Sequence, residues 1–332
     1  MPDSPTPDRP LHVLVLGGYG AVGARANADL RAAGHAPRTA GRDARRADVA
    51  LDLADRTAVT RAAREADVVL NAAGREDVDL VRAVTDAGTP FVDISATTGY
   101  LAALERLEPA APVLVSVGIA PGLTNLLAHA VVERDAAAGR APSGPLDVGV
   151  VLGAGEAHGA AATAWSLLLL GRSFPDTTRP GATVRNYTRG ARFDLPGGPR
   201  RLLRADFSDQ HALTRELGRP VRTFFGTDTR FATAALAALT WAPPLGRLAG
   251  RLHLPGTEDW LLHVRDASGP RVSVTGSGQS AATAAVAAQA TVVAAGAPAG
   301  VHHLPALVGW TDLRLPITVT WHSEPTRAPR GE

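Results

Sequence analysis

The most constraining feature of this chain is its opening unit. Leu11-Leu16 is a short apolar run, and it ends in Gly17-Gly18-Tyr19-Gly20-Ala21-Val22-Gly23. An Ala-rich amphipathic segment, Ala24-Ala33, follows and stops at Gly34. That order is strand, glycine turn, helix and C-cap. Gly18-x-Gly20-x-x-Gly23 has the spacing of a dinucleotide-binding turn. In such a turn Gly18 allows the tight bend, Gly20 lets the backbone approach a pyrophosphate, and Gly23 lets helix and strand pack closely. The helix start at Ala21 and Val22 would offer free N–H groups and a positive dipole to the phosphates. A glycine-rich loop alone is weak evidence, but here both flanking elements are in place.

The alternation continues. Ala36-Ala40, Val49-Leu53, Asp67-Leu70, Pro90-Ile94 and Pro112-Val117 have strand character, with Arg56-Glu65 and Val78-Ala87 as helices between them. Strands alternating with helices predict a doubly wound parallel sheet with helices on both faces. The second half differs. A helix is expected from Pro121 to about Ala138, then a Pro/Gly/Ser linker over Arg140-Pro145. Leu146-Leu152 is a continuous apolar strand, and a helix is expected from about Ala160 to Leu170. Gly171-Arg201 shows few clear elements beyond Thr183-Tyr187. Val221-Phe225, Trp260-Asp266, Arg271-Thr275 and Ile317-Trp321 suggest strands; Thr229-Leu239 and Ala281-Ala295 suggest helices. The fold class is thus α/β: an N-terminal Rossmann sheet plus a second α+β domain with a largely antiparallel sheet. The expected divisions are a disordered leader (1-10), a nucleotide domain (11-124), a substrate and dimerisation domain (125-280), and a C-terminal helix and strand (281-332) returning towards the Rossmann domain. A two-fold homodimer contact is expected through the antiparallel sheet and Ala281-Ala295.

Composition narrows the chemistry. The 332 residues include no cysteine, and all 34 basic residues are arginine. That excludes thiol nucleophiles, thiolate metal sites, Schiff bases to lysine and a P-loop lysine. A proton must then pass through His, Asp, Glu, Tyr or water. The net charge of +2 is small and the arginines are dispersed, which argues against nucleic acid. No stretch is apolar and long enough for a membrane span, and a cytoplasmic location is expected. The substrate is expected to be a small molecule.

Cofactor preference is legible after the second strand. NAD enzymes usually place an acid there for the ribose hydroxyls. This chain has Gly41-Arg42, with no acid before Asp43, so Arg42 could hold a 2′-phosphate and NADP(H) is expected. Tyr19 would cover the adenine or phosphate. Among acid–base candidates, His158 follows an apolar strand at an expected helix start, with Glu156 two residues earlier. Both could equally be capping groups. Asp93 ends the fifth strand, where it could hold ribose or a substrate amine, or cap the next helix. Tyr100 is a possible proton donor. His302-His303 suits packing or capping better than a metal pair, and no metal is expected.

Five stretches together resemble the saccharopine dehydrogenase-like family, which includes saccharopine reductase and carboxynorspermidine dehydrogenase. They are Val13-Gly23, Ala40-Asp43, Val69-Gly74, Thr89-Ser95 and Gly118-Asn125. The turn around His158-Gly159, Gln279-Ser280 with Thr283, and Gly300-Leu304 are also similar. The resemblance implies an NAD(P)-binding oxidoreductase that moves hydride to or from a C=N bond of a small amino-acid-like substrate, in bacterial secondary metabolism. It assigns Gly17, Gly18, Tyr19, Gly20, Gly41, Asn71, Ala72, Ala73, Gly74 and Ser95 to the cofactor. It also implies substrate-carboxylate arginines, with Arg172, Arg185, Arg189, Arg192 and Arg230 as candidates. A C=O or C=C reductase, or a non-catalytic NADP-binding sensor, are the alternatives on the same fold.

Overall fold

The computed structural model describes residues 9–155, 165–245 and 256–322. Two compact units divide the chain. The first takes residues 1–126, 207–209 and 278–315; the second takes 127–206, 210–277 and 316–332.

The first unit is built on seven strands: β1 (His12–Leu16), β2 (Ala36–Gly41), β3 (Val49–Ala50), β4 (Val68–Asn71), β5 (Phe91–Asp93), β6 (Pro112–Val115) and β15 (Gly300–His303). Their order is β15-β6-β5-β4-β1-β2-β3, and every pairing is parallel. Central strands such as Val68–Asn71 and Pro112–Val115 are buried at every position, as a sheet covered on both faces requires. Helix α1 (Ala21–Ala32) begins three residues earlier than its apolar pattern suggested, directly after Gly20. Helices α2 (Arg56–Arg64), α3 (Val78–Thr85) and α4 (Thr98–Leu104) follow. Asp55 and Asp77 cap α2 and α3 by accepting from first-turn backbone N–H groups. Leu14, Val69, Phe91 and Val113 of the sheet pack with Val59, Leu80, Val84, Tyr100 and Leu104 of these helices.

Two elements of this unit come from far along the chain. Helix α8 (Gln279–Ala294) lies against α1 and against β4, β5 and β6. Ten of its residues are buried, including Ala284, Val286, Ala287 and Ala290. The expectation that this helix forms a two-fold contact beside the antiparallel sheet is therefore corrected. Its small side chains are used inside the first unit, where they let it approach α1 closely. The seventh strand, Gly300–His303, is not among the strands expected from the sequence.

The second unit carries a sheet ordered β10-β11-β12-β7-β13-β14-β16. These are β7 (Leu146–Leu152), β10 (Gly190–Leu195), β11 (Gly198–Arg204), β12 (Val221–Thr227), β13 (Asp259–Asp266), β14 (Gly269–Ser277) and β16 (Thr318–Trp321). Only β12 and β7 run parallel; the other pairings are antiparallel. The final strand β16 pairs with β14 of this sheet and does not return to the first unit. A short ribbon, β8 (Ser173–Pro175) with β9 (Thr183–Arg185), stands apart from the sheet. Helices α5 (Thr124–Ala137), α6 (Ser208–Glu216) and α7 (Arg230–Leu239) complete the described elements. Among the described residues no helix is long and apolar enough to cross a membrane.

Candidate functional site

The β1–α1 connection builds the first half of the site. Gly17 has φ +71°, and its amide donates to the carbonyl of Ala40 at the end of β2. A Cβ on Gly17 would lie 2.7 Å from Cα of Ala73. The glycine turn and the strand end at Ala72 therefore touch, backbone to backbone, between β1 and β4. That is the point where the strand order reverses, and ligands of open α/β sheets bind there. Ala73 and Gly74 are exposed on this rim.

The fit to a dinucleotide rests on which glycines are closed and which is open. A Cβ on Gly23 would fall 2.8 Å from Cα of Gly18, so this position is filled by the turn itself. Gly20 is exposed, and a Cβ there would meet only the Gly17 carbonyl, at 3.2 Å. Gly20 caps α1 without a side-chain hydrogen bond, so the first N–H groups at Ala21 and Val22 face outward uncapped. Close packing on one side and an open, uncapped helix start on the other suit a pyrophosphate.

The end of β2 forms the other half. The Tyr19 ring lies on Gly41, where a Cβ would come 2.6 Å from its hydroxyl. Arg46 stacks over that ring at 4.4 Å and donates to the Tyr19 carbonyl at 3.3 Å. Arg42 is exposed beside them. The nearby acids are turned elsewhere: Asp43 accepts from Arg45, and Asp48 accepts from the Thr39 amide at 2.7 Å. The stack of Arg46 on Tyr19 escaped sequence reasoning; the run Arg42-Asp43-Ala44-Arg45-Arg46 was the available signal.

Four further residues assigned from the sequence turn inward. Asp93 is 1 % exposed. Its carboxylate accepts from Asn71 Nδ2 at 3.0 Å, the Tyr100 hydroxyl at 2.8 Å and the Ser95 amide at 2.8 Å. Burial pushes the Asp93 carboxyl up, against the pull of these donors. Burial, followed by the neighbouring Asp93 charge, also raises the Tyr100 phenol. Tyr100 thus holds its proton tightly and gives its hydrogen to Asp93. The structure places both in a buried polar cluster, hydrogen-bonded to each other. Asn71, fully buried, bonds Arg75 O and Asp93, and receives the Ala73 amide. It shapes the rim at Ala73 from beneath, and Ser95 is likewise buried. Glu156 and His158, with the first five residues of the helix expected after them and residues 1–8 of the expected leader, lie outside the described residues.

The second unit holds a cavity of about 590 Å³, lined among others by Val151, Leu195, Arg200, Asp228, Asp259 and Trp260. Arg200 donates to the carbonyls of Thr227 and Asp228. None of the five arginines suggested for substrate lines this cavity. Arg189 pairs with Asp176, Arg192 lies near Asp194, Arg230 bonds the Pro199 carbonyl, and Arg185 stacks on Trp241.

No family model and no curated protein matches the chain. Solved structures do. A histidine-tagged apo saccharopine dehydrogenase (L-Glu forming) from Saccharomyces cerevisiae is similar over 86% of this chain and 90% of its own, with 14% identity and a TM-score of 0.54. Aspartate semialdehyde dehydrogenase II from Vibrio cholerae covers 86% of this chain and 98% of its own, at 10% identity and a TM-score of 0.42. At these identities the likeness to the yeast enzyme is one of fold.

Proposed function

We propose that this chain is a nicotinamide-nucleotide-dependent oxidoreductase that prefers NADP(H). It would move hydride to or from the C=N bond of a small amino-acid-like substrate. The observation that carries the reading is the open start of α1 beside an exposed Arg42, with Asp43 and Asp48 both engaged by neighbouring groups. A 2′-phosphate placed there would meet Arg42, with Arg46 and Tyr19 as its neighbours and no free carboxylate to repel it. The fold shared with a saccharopine dehydrogenase supports the same reading.

When bound, the nicotinamide supplies or accepts the hydride. The chain's own residues bind and orient. Ala21 and Val22 offer backbone N–H groups to the diphosphate, and Ala72, Ala73 and Gly74 form the facing rim. Asp93, Asn71 and Tyr100 hold that rim from below. We place His158 and Glu156 against the substrate, and give substrate selection to the second unit.

Titration of NADPH and NADH against the wild type and Arg42→Ala tests the reading. The variant should lose about 1.5–3 kcal/mol of NADPH affinity, the usual worth of a hydrogen bond to a charged group, and little NADH affinity. Equal NADPH binding by both proteins removes Arg42 from the site. Turnover is then followed by NADPH absorbance with 2-oxo acids and amines. His158→Ala should weaken the use of substrate, read as a lower kcat/KM, at unchanged NADPH affinity.

A further inference from the structure

Past the end of β6 the backbone bends sharply. Ser116 has φ +58°, in the left-handed region that residues with side chains rarely adopt. A Cβ on Gly122 would lie 3.0 Å from the Ser116 carbonyl, so the following loop closes over this bend. The Ser116 hydroxyl lies 2.8 Å from Nδ1 of His303. His303 ends β15, whose register sets it beside Val115 of β6. Its Nε2 lies 3.1 Å from Oε1 of Glu105, just past α4. The adjacent His302 goes elsewhere, to the Pro298 carbonyl. Carboxylate, imidazole and hydroxyl thus form one continuous chain within the first unit. Ser116 is 1 % exposed, and the His303 side chain 13 %.

The donors in this chain follow from what each group can do. An ionised carboxylate only accepts, so the hydrogen between Glu105 and His303 sits on Nε2. A neutral ring then leaves Nδ1 as an acceptor, and the Ser116 hydroxyl donates to it. A ring that carries a second proton on Nδ1 donates to Ser116 Oγ instead, and the hydroxyl hydrogen turns away. One proton can therefore leave or enter at the hydroxyl end while the contact to Glu105 stays in place. The chain sits at the C-terminal edge of the parallel sheet, the edge where dinucleotides and their substrates lie in this class of fold.

We propose that Ser116, His303 and Glu105 form the proton-handling site of the oxidoreductase, an inference that rests on the function proposed above. Reduction of a C=N or C=O bond adds hydride, with its electron pair, to carbon and one proton to the heteroatom. The hydride comes from the reduced nicotinamide. Ser116 gives its hydroxyl proton to the nitrogen or oxygen and takes the Nδ1 proton of His303 in the same step. His303 ends neutral, still held by Glu105, and regains a proton from water. Oxidation runs the same transfers in reverse. Ser116 is then the catalytic residue, and His303 and Glu105 are positioning residues behind it. The acceptor carbon must carry a basic nitrogen or oxygen, and His158 is left to the substrate.

The test reads the imidazole directly, by nitrogen–proton NMR of the full chain with labelled histidine. His303→Gln identifies the His303 signals among the ten histidines. In the free protein Nε2 should carry a hydrogen, held by Glu105. Saturation with NADP⁺ should shift both ring nitrogens. Adenosine 2′,5′-bisphosphate lacks the nicotinamide, so it should bind at the glycine turn and leave them unmoved. Ser116→Ala should abolish the NADP⁺ shift without weakening NADP⁺ binding. The proposal is overturned if NADP⁺ binds with His303 unmoved, if both nucleotides move it equally, or if the shift survives in Ser116→Ala. Failure of both nucleotides to bind overturns the proposed function itself.

Discussion

Asp93 is buried among three donors, and that decides its part. Asp93→Asn places an N–H₂ group among the Asn71 amide, the Tyr100 hydroxyl and the Ser95 amide, all of which donate. We expect it to cost about 1–3 kcal/mol of stability, the range for an unmet buried polar group, read as a lower melting temperature. A variant as stable as wild type but inactive would return Asp93 to the chemistry. His263 makes a pH prediction. It is fully buried in β13, with Nδ1 on Ser273 Oγ at 2.9 Å and Nε2 without a hydrogen-bond partner among the described residues. Burial first, then the nearby charges of His322 and Arg265, pushes it down to about 3 from an ordinary 6.5. Between those values the unfolded chain binds a proton that the folded chain refuses. Stability is therefore full above pH 6.5 and falls as pH drops towards 3, by at most about 1.4 kcal/mol per pH unit from this group. His263→Gln should flatten the acid limb of a urea-unfolding series; an unchanged limb would assign it to other groups. At this scale the sequence marked residue types and positions but not facing. Asp93 ends a strand and Tyr100 follows a turn, yet both point into the α2–α4 core, because the first turn of α4 carries Tyr100 back beneath β5.

The glycine turn behaves as one element with a closed side and an open side, and two substitutions separate them. Gly23→Ala forces a methyl into backbone that has no room, and should cost about 1–3 kcal/mol of stability, as overpacking does. Gly20→Val meets only the Gly17 carbonyl, at 3.2 Å, so the variant should fold with at most a small loss of melting temperature and lose NADPH binding. Normal binding by a folded Gly20→Val would move the phosphate site elsewhere. The turn, β1 to β6 and helices α1 to α3 were legible because each is a local pattern with a stop signal; α4 was not foreseen. The hairpin of β10 and β11 was not, although Arg192/Asp194 outside and Phe193/Leu195 inside alternate with period two. Arginines among glycines and prolines hid it. Its two-residue turn, Pro196-Gly197 with Gly197 at φ +87°, was the signal to follow. Strand β15 was harder still: Gly300–His303 is half-buried at every position and has no apolar run. Only its pairing with β6 makes it a strand, and with it the link from His303 to Ser116.

At the scale of the whole molecule, the large apolar side chains left exposed among the described residues are Leu168, Phe231, Trp241 and Leu245, all in the second unit. Exposed groups of this size suit a contact surface. We expect a homodimer by sedimentation velocity, converted to a monomer by Phe231→Asp; a wild-type monomer at high concentration would end the idea. The route of the chain through its two units has a further consequence, one of timing. A ribosome releases β1 to β6 first, then nearly the whole of the second unit, and only afterwards the residues of α8 and β15. Until then one face of the early sheet, over β4 to β6, has no cover, and His303 has not yet been synthesised. The nascent first unit must wait, incomplete, while some 150 intervening residues emerge, on the order of ten seconds at about 5–20 residues per second. Synthesis therefore sets the order in which this protein becomes competent: its glycine turn exists early, but the sheet edge that would handle a proton is completed late.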